Sequence, residues 1–171
     1  MLLTAIAERA EMRGRISVNV TDRDGMLSEI IVQLRQKASH ILAPETNSWL
    51  SEIHVHGVGF TRTREEVPST WRADMTKAVS ELNEKGSGLP ITVDEASAQS
   101  DELPVLIDSF QHFVRERRDV ALLLAGLPHN VSTLIDVDAT SFLRRAFKHT
   151  MDQISATDTS YAIKETVEGA G

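Results

Sequence analysis

Two adjacent carboxylates, Asp94 and Glu95, close the apolar run in "GLPITVDEAS", residues 88–97. A short apolar strand that ends in two acids has a specific chemical use. Ligands of open α/β sheets bind beyond the carboxyl ends of the strands. A carboxylate there holds Mg2+ directly or through water, and a second one beside it polarises a water for attack on a γ-phosphate. The plainer reading is an acidic turn, because many strands end that way. Taken alone, the pair favours the turn.

Other side chains offer related chemistry. His129 and Asn130 follow "AGLP". They are polar groups at a strand tip, where one can sense a nucleotide, or they cap a helix after Pro128. Arg144 and Arg145 carry a fixed charge on a planar fork, which suits phosphate oxygens. A surface ion pair is the competing reading for either arginine. His54 and His56 share one face of an extended stretch, a spacing that binds metal. No third ligand is evident, so they read as solvated imidazoles. "RERR", residues 115–118, complements the C-terminal dipole of a helix. No aromatic residue interleaves it, so nucleic-acid contact is unsupported there. Trp49 and Trp71 read as core anchors.

The elements that must position these residues follow from periodicity. Leu2, Leu3, Ile6, Ala7 and Ala10 form a helical stripe that Gly14 ends. "RISVNV" alternates as a strand, with Ile16, Val18 and Val20 on one face. "TDRDG" supplies turn and capping residues. The next helix turns Met26, Ile30, Leu34, Ala38 and Ile41 inward and stops at Pro44. "EIHVHGVGF" reads as a strand. Ser69 is placed to cap a helix that buries Trp71, Met75, Ala78, Val79 and Leu82. "EKGSG" closes it. "LPITV" is a strand, and "SAQSDE" holds acceptors for the helix of Leu103, Leu106, Ile107, Phe110 and Phe113. "DVALLLAG" is apolar on both faces, as a strand between two helical layers is. "SFLRRAFKHTMDQI" suits a helix, or a strand in its second half. Asp158 opens a last helix. Helices and strands alternate throughout, which predicts a three-layer α/β domain with a mostly parallel sheet. The order begins with a helix, so a first strand is missing.

Bulk composition narrows the function. The chain has 171 residues, enough for one domain with a sizeable core. Eighteen basic and twenty-five acidic residues give a net charge of −7. That argues against nonspecific attraction to nucleic acid or anionic membrane, although a local basic face remains compatible. Cysteine is absent, which excludes disulfides and Cys-ligated zinc. No apolar run has the length of a membrane span. The N-terminal residues lack the build of a secretory signal. The expected location is cytoplasmic.

The run from "GLPITVDEAS" through "QHFVRE", "AGLP" and "FLRRA" resembles bacterial ATP-binding proteins of the AAA+ class, in the clade related to replication initiators. In that resemblance "ITVDE" looks like a Walker B element. Asp94 matches the metal-coordinating position and Glu95 the water-activating glutamate. Asn130 or His129 matches a polar sensor, and Arg144 and Arg145 match the family's "RRA". The family's Gly-Lys-Thr or Gly-Lys-Ser loop leads into a helix that resembles "LLTAIAERA", so Met1 stands at that junction. The resemblance implies that residues 1–171 are a partial P-loop ATPase core. The phosphate loop and first strand would precede it, and a helical lid would follow it. ATP and Mg2+ are the implied cofactors of an intact parent. Nucleic acid would be reached only through domains outside the chain, and homo-oligomers or protein partners fit the class. The alternative is a non-catalytic interaction or assembly module. Neighbours of a missing central strand expose edges. The isolated chain is therefore expected to be poorly soluble or to self-associate, and a clean monomer in sedimentation with cooperative thermal unfolding would contradict this.

Overall fold

The computed structural model describes residues 2–44, 46, 67–151, 160, 161 and 164. It is an α/β arrangement built on a small parallel sheet. Helix α1 spans Leu2–Glu11, strand β1 Val18–Thr21 and helix α2 Met26–Ala38. Helix α3 spans Val67–Glu84, strand β2 Leu89–Asp94 and helix α4 Leu103–Arg115. Strand β3 spans Val120–Leu124 and helix α5 Pro128–Asp136, and a 3-10 helix, η1, runs over Asp138–Arg145. The sheet order is β1-β2-β3, and both pairings are parallel.

The strand of the acid pair is thus the central one. Its residues Leu89 to Val93 are buried, and Asp94 is half-buried where the strand leaves the core. β1 runs beside it, with Thr21 in register with Asp94. Burial alternates along β1, with Val18 and Val20 buried and Asn19 and Thr21 half-buried.

The outer edge of β1 is closed by a side chain. The amide of Gln33 donates to the carbonyl of Asn19 at 2.6 Å and accepts from its N–H at 3.1 Å. An amide side chain here substitutes for a neighbouring strand, which blunts the edge. β3 has no such guard among the described residues. Its residues are half-buried and Ala121 is exposed. The expectation of a strand buried on both faces is corrected on this point. "VALLL" has the apolar composition of an enclosed strand, but the described elements leave it partly bare.

Apolar stripes bury as their spacing predicts. Met26, Ile30, Leu34 and Ala38 of α2 are buried, and so are Trp71, Met75, Ala78, Val79 and Leu82 of α3. In α4, Leu103, Leu106, Ile107 and Phe113 are buried. Phe110 is half-buried and meets Phe142 of η1 edge-on, with ring centroids 6.1 Å apart. The α1 stripe is only half covered: Ala7 is buried and Leu2 is 50% exposed.

Helix ends depart from expectation in three places. The helix expected to start at a Ser69 cap begins at Val67, so Ser69 lies inside its first turn. α2 stops at Ala38 rather than at Pro44. Its N-terminus is not capped by the aspartates of "TDRDG". Glu102, which itself precedes α4, accepts instead from the N–H of Gly25 at 2.9 Å and of Leu27 at 2.7 Å. Both carboxylate oxygens thereby satisfy donors at the positive end of α2. The N-cap of α4, Glu102, makes no side-chain cap bond, but the hydroxyl of Ser100 accepts from Leu103 N–H at 3.0 Å. α3 closes at Gly86 with φ +77, a conformation that glycine adopts without penalty. Replacing Glu102 by Ala is expected to cost about 1–2 kcal/mol, read as a lowered urea midpoint. Replacement by Gln, which keeps one acceptor, should cost less.

Residues 147–151 form no strand, so of the ambiguous "SFLRRAFKHTMDQI" the part up to Met151 is 3-10 helix followed by irregular chain, and its last three residues lie outside the described residues. Ser160, Tyr161 and Lys164 are helical, in the region expected to hold the last helix. The expected strand at "EIHVHGVGF", with His54 and His56, and also Trp49, lie outside the described residues. No helix among the described residues is long and apolar enough to cross a membrane.

Candidate functional site

The carboxyl ends of β1 and β2 open onto one edge of the sheet. Three loops meet there, and backbone hydrogen bonds lock them together. Asp22 N–H, just past β1, donates to the Asp94 carbonyl at 2.9 Å. Ala125 N–H, just past β3, donates to the Val93 carbonyl at 2.9 Å, and Ala96 N–H donates to the Ala125 carbonyl at 2.8 Å. The Asp22 carboxylate accepts from Ser97 N–H at 2.9 Å. The loop that carries the acid pair is therefore held on both sides.

Glu95 sits in this loop with φ +59. A non-glycine residue in the left-handed region costs on the order of 1–2 kcal/mol. The flanking bonds at Asp94 and Ala96 hold it there. Its N–H donates to Oδ1 of Asp94 at 3.0 Å. The outcome is two adjacent carboxylates with different settings. Asp94 is half-buried at the strand end, and Glu95 is exposed on the turn.

Asp94 also lines a cleft of about 160 Å³ with Leu3, Thr4, Asn19, Val20, Thr21 and Thr92. The first turn of α1 thus lies across from the end of β2. The hydroxyl of Thr92 donates to Oδ1 of Asn19 at 2.8 Å, which fixes one wall. The donors are hard oxygens, suited to Mg2+. No group of three or more metal-ligating side chains occurs among the described residues. Mg2+ retains waters and takes one or two carboxylates plus substrate phosphates. Asp94 therefore fits a metal that arrives with a phosphate ligand, and does not fit a cation held by protein alone.

Asn19, Thr21 and Thr92 were not singled out as site residues from the sequence, and neither were Asp22 and Thr4. A signal exists for Asp22: it follows β1 as Asp94 ends β2, so both lie at the same sheet edge. Thr4 gives none, because its place depends on how α1 lies across β1 and β2.

Asn130 lies in the first turn of α5, half-buried, with His129 exposed beside it. The N-cap is Leu127 and makes no side-chain cap bond. Neither polar residue caps the helix, which corrects that reading. The loop before α5 is pressed against the acid-bearing loop. A methyl group on Gly126 would stand 2.6 Å from the Ala96 carbonyl. Gly126→Ala is therefore expected to cost about 1–3 kcal/mol through overpacking, visible as a lower thermal midpoint. Gly14→Ala meets nothing within 4 Å, so only its left-handed backbone would be penalised there.

Arg144 and Arg145 are exposed on η1. Nε of Arg144 donates to the Ile135 carbonyl at 3.3 Å, near the C-terminal end of α5. Asn130 is five residues earlier, about 7 Å along the axis. The two arginines therefore sit toward the other end of α5 from the strand tips. Neither forms an ion pair among the described residues. Of the basic run at α4, Arg118 pairs with Glu116 at 3.2 Å.

Comparison with protein-family models, with curated proteins and with solved structures finds no match for this chain.

Proposed function

We propose that the chain is the core of an AAA+-type P-loop ATPase, in which Asp94 and Glu95 serve a bound ATP·Mg2+. The observation that carries this reading is the cleft. It sets the carboxylate at the end of the central parallel strand across from the first turn of α1. In this reading the sheet is of the P-loop type, and the bare outer edge of β3 is where a first strand would pair. No Gly-x-x-x-x-Gly-Lys-Ser/Thr occurs in the sequence. The reading therefore requires a phosphate loop supplied by another part of the parent protein.

Each residue has a part. Asp94 holds the metal side of the nucleotide, directly or through water. Glu95 faces solvent and orients the attacking water. Asn130, after the tip of β3, is the sensor candidate. An arginine at Arg144 or Arg145 would reach a γ-phosphate in a neighbouring subunit more readily than in its own, given where η1 sits. Bound Mg2+ would neutralise charge on the β- and γ-phosphate oxygens.

The test is the reading frame upstream of Met1, followed by nucleotide titration. A frame that continues upstream into Gly-Lys-Thr/Ser should yield a protein that binds ATP in a Mg2+-dependent way. Asp94→Asn should remove that metal dependence. The 171-residue chain alone should show no saturable binding. A stop codon just before Met1, with no loop, would defeat the reading for this gene product.

The exposed β3 favours one second reading, a non-catalytic interaction or assembly module. It expects stable folding, a defined partner or oligomer, and no thermal shift with nucleotide.

A further inference from the structure

The turn between β1 and α2 holds a chemically labile pair. Asp24–Gly25 is the one Asp-Gly pair of the sequence, and no Asn-Gly pair occurs. A glycine nitrogen has no side chain beside it, so it attacks the carboxyl carbon of a preceding aspartate with the least hindrance. Both residues are exposed. Asp24 is in no ion pair among the described residues. It lines a polar cleft of about 240 Å³ with Ser97, Gln99, Ser100 and Glu102, so water reaches its carboxyl group. The native turn opposes the attack in two ways. Met26 N–H donates to the Arg23 carbonyl at 3.1 Å, Gly25 stands at φ 85 and ψ 6, and Asp24 has a negative φ. That is a type II turn, which sets ψ of Asp24 at about +120°. Ring closure needs ψ of the opposite sign, where the nitrogen eclipses Cβ. The second obstacle is Glu102, which engages the attacking nitrogen itself. Its carboxylate accepts from Gly25 N–H at 2.9 Å and from Leu27 N–H at 2.7 Å.

We propose that Asp24–Gly25 is an isoaspartate-forming site that the Glu102 carboxylate holds shut in the native fold. When the turn opens, the Gly25 nitrogen attacks Cγ of protonated Asp24. The nitrogen gives up its proton and the carboxyl its hydroxyl, so one water leaves as a five-membered succinimide closes. Water then adds to one of the two ring carbonyls. Cleavage at Cγ restores aspartate. Cleavage at the main-chain carbonyl leaves the chain running through Cβ and Cγ, which is isoaspartate. Nothing is oxidised or reduced, and the water lost is regained. The product carries one more methylene in the main chain between β1 and α2. Asp22, two residues earlier, ties this loop to the acid-bearing one through the Asp94 carbonyl and the Ser97 N–H. The added length slackens that support on one side of Asp94 and Glu95. This goes beyond the ATPase reading and stands without it.

The experiment ages the 171-residue chain in mildly acidic buffer, native or unfolded in guanidinium chloride. Isoaspartate is counted by methyl transfer from S-adenosylmethionine with an isoaspartyl methyltransferase, and electron-transfer fragmentation of the proteolytic peptide assigns it to residue 24. Residue 24 should react readily in the unfolded chain and slowly in the native one. Glu102→Ala should raise the native rate about five- to thirtyfold, the factor by which losing its bonds shifts the ratio of closed to open turn. Glu102→Gln keeps one acceptor and should raise the rate less. It still decides if circular dichroism shows the alanine variant unfolded. Asp24→Glu should abolish the signal, because glutamate needs a slower six-membered ring. Leu89 is buried at the far end of β2, so Leu89→Ala lowers overall stability and keeps the Glu102 bonds. Its native rate should stay near that of the parent. A native parent that reacts as fast as the unfolded chain overturns the proposal, and so do Glu102 variants that age at the parent rate. Failure of residue 24 to react in the unfolded chain removes the site. A rise in Leu89→Ala equal to that in Glu102→Ala would place control in global unfolding and remove the role of Glu102.

Discussion

Trp71→Ala is expected to lower the unfolding free energy by about 3–5 kcal/mol. Trp71 is 4% exposed and projects from α3. Its indole N–H donates to the Leu27 carbonyl, in the first turn of α2, at 3.0 Å. The ring therefore joins two helices by packing and by one directed bond. Truncation removes both and leaves a cavity where the helices meet. Domains of this size hold roughly 5–15 kcal/mol in total, so the loss is a large fraction of the whole. Trp71→Phe separates the two contributions. It keeps most of the apolar contact and removes only the donor, so about 0.5–1.5 kcal/mol should be lost. Urea unfolding followed by far-UV circular dichroism measures both. An alanine variant within 1 kcal/mol of the parent would show that the ring is not an anchor.

That anchor was legible in the sequence because it lies on a long helical stripe. Trp71, Met75, Ala78, Val79 and Leu82 repeat at helical spacing, and all five are buried. β2 was legible for a similar reason, since "LPITV" is short, apolar and bounded by glycine and acids. Features that depend on distant residues were not legible. Glu102 caps a helix 75 residues away in sequence, and no local pattern announces it. Asp22 looks like a turn residue until the Ser97 N–H is found on its carboxylate. The strand "VALLL" misled because apolar composition reports what a strand can bury, whereas its covering depends on the neighbours present. The left-handed backbone at Glu95 was also beyond reach, because nothing in "VDEAS" requires it.

The site shows the same division. Position along the chain identified Asp94 and Glu95 as a pair. Only the register of β1 against β2 brings Asn19, Thr21 and Thr92 to the same cleft. The loops that carry these residues are tied to one another by backbone hydrogen bonds, so the acid pair is set by the sheet edge as a whole. A substitution that disturbs one loop, such as Gly126→Ala, should be felt at Glu95 without touching it. The arginines differ, because they hang on η1 and are tied to α5 rather than to the strand tips. In the ATPase reading their use at a phosphate would depend on assembly, whereas the acid pair is arranged within the chain.

Glu95→Gln offers the strongest discrimination between the two functional readings. In a protein extended upstream through a phosphate loop, the substitution is expected to reduce ATP turnover about 10²–10⁴-fold. ATP affinity should remain near the parent value. An amide matches the carboxylate in shape but accepts no proton and polarises water poorly. Glu95 is exposed and its N–H bond to Asp94 comes from the backbone. The amide therefore leaves the Asp94 setting and the left-handed turn in place. A change confined to kcat marks an interaction made in the transition state. Asp94→Asn should behave differently, weakening Mg2+-dependent binding as well as turnover. Single-turnover hydrolysis and equilibrium nucleotide titration of both variants give the comparison. Equal loss of binding in the two would mean that Glu95 supports the fold of the loop rather than the water. No change in either would leave the interaction module as the standing account of this chain.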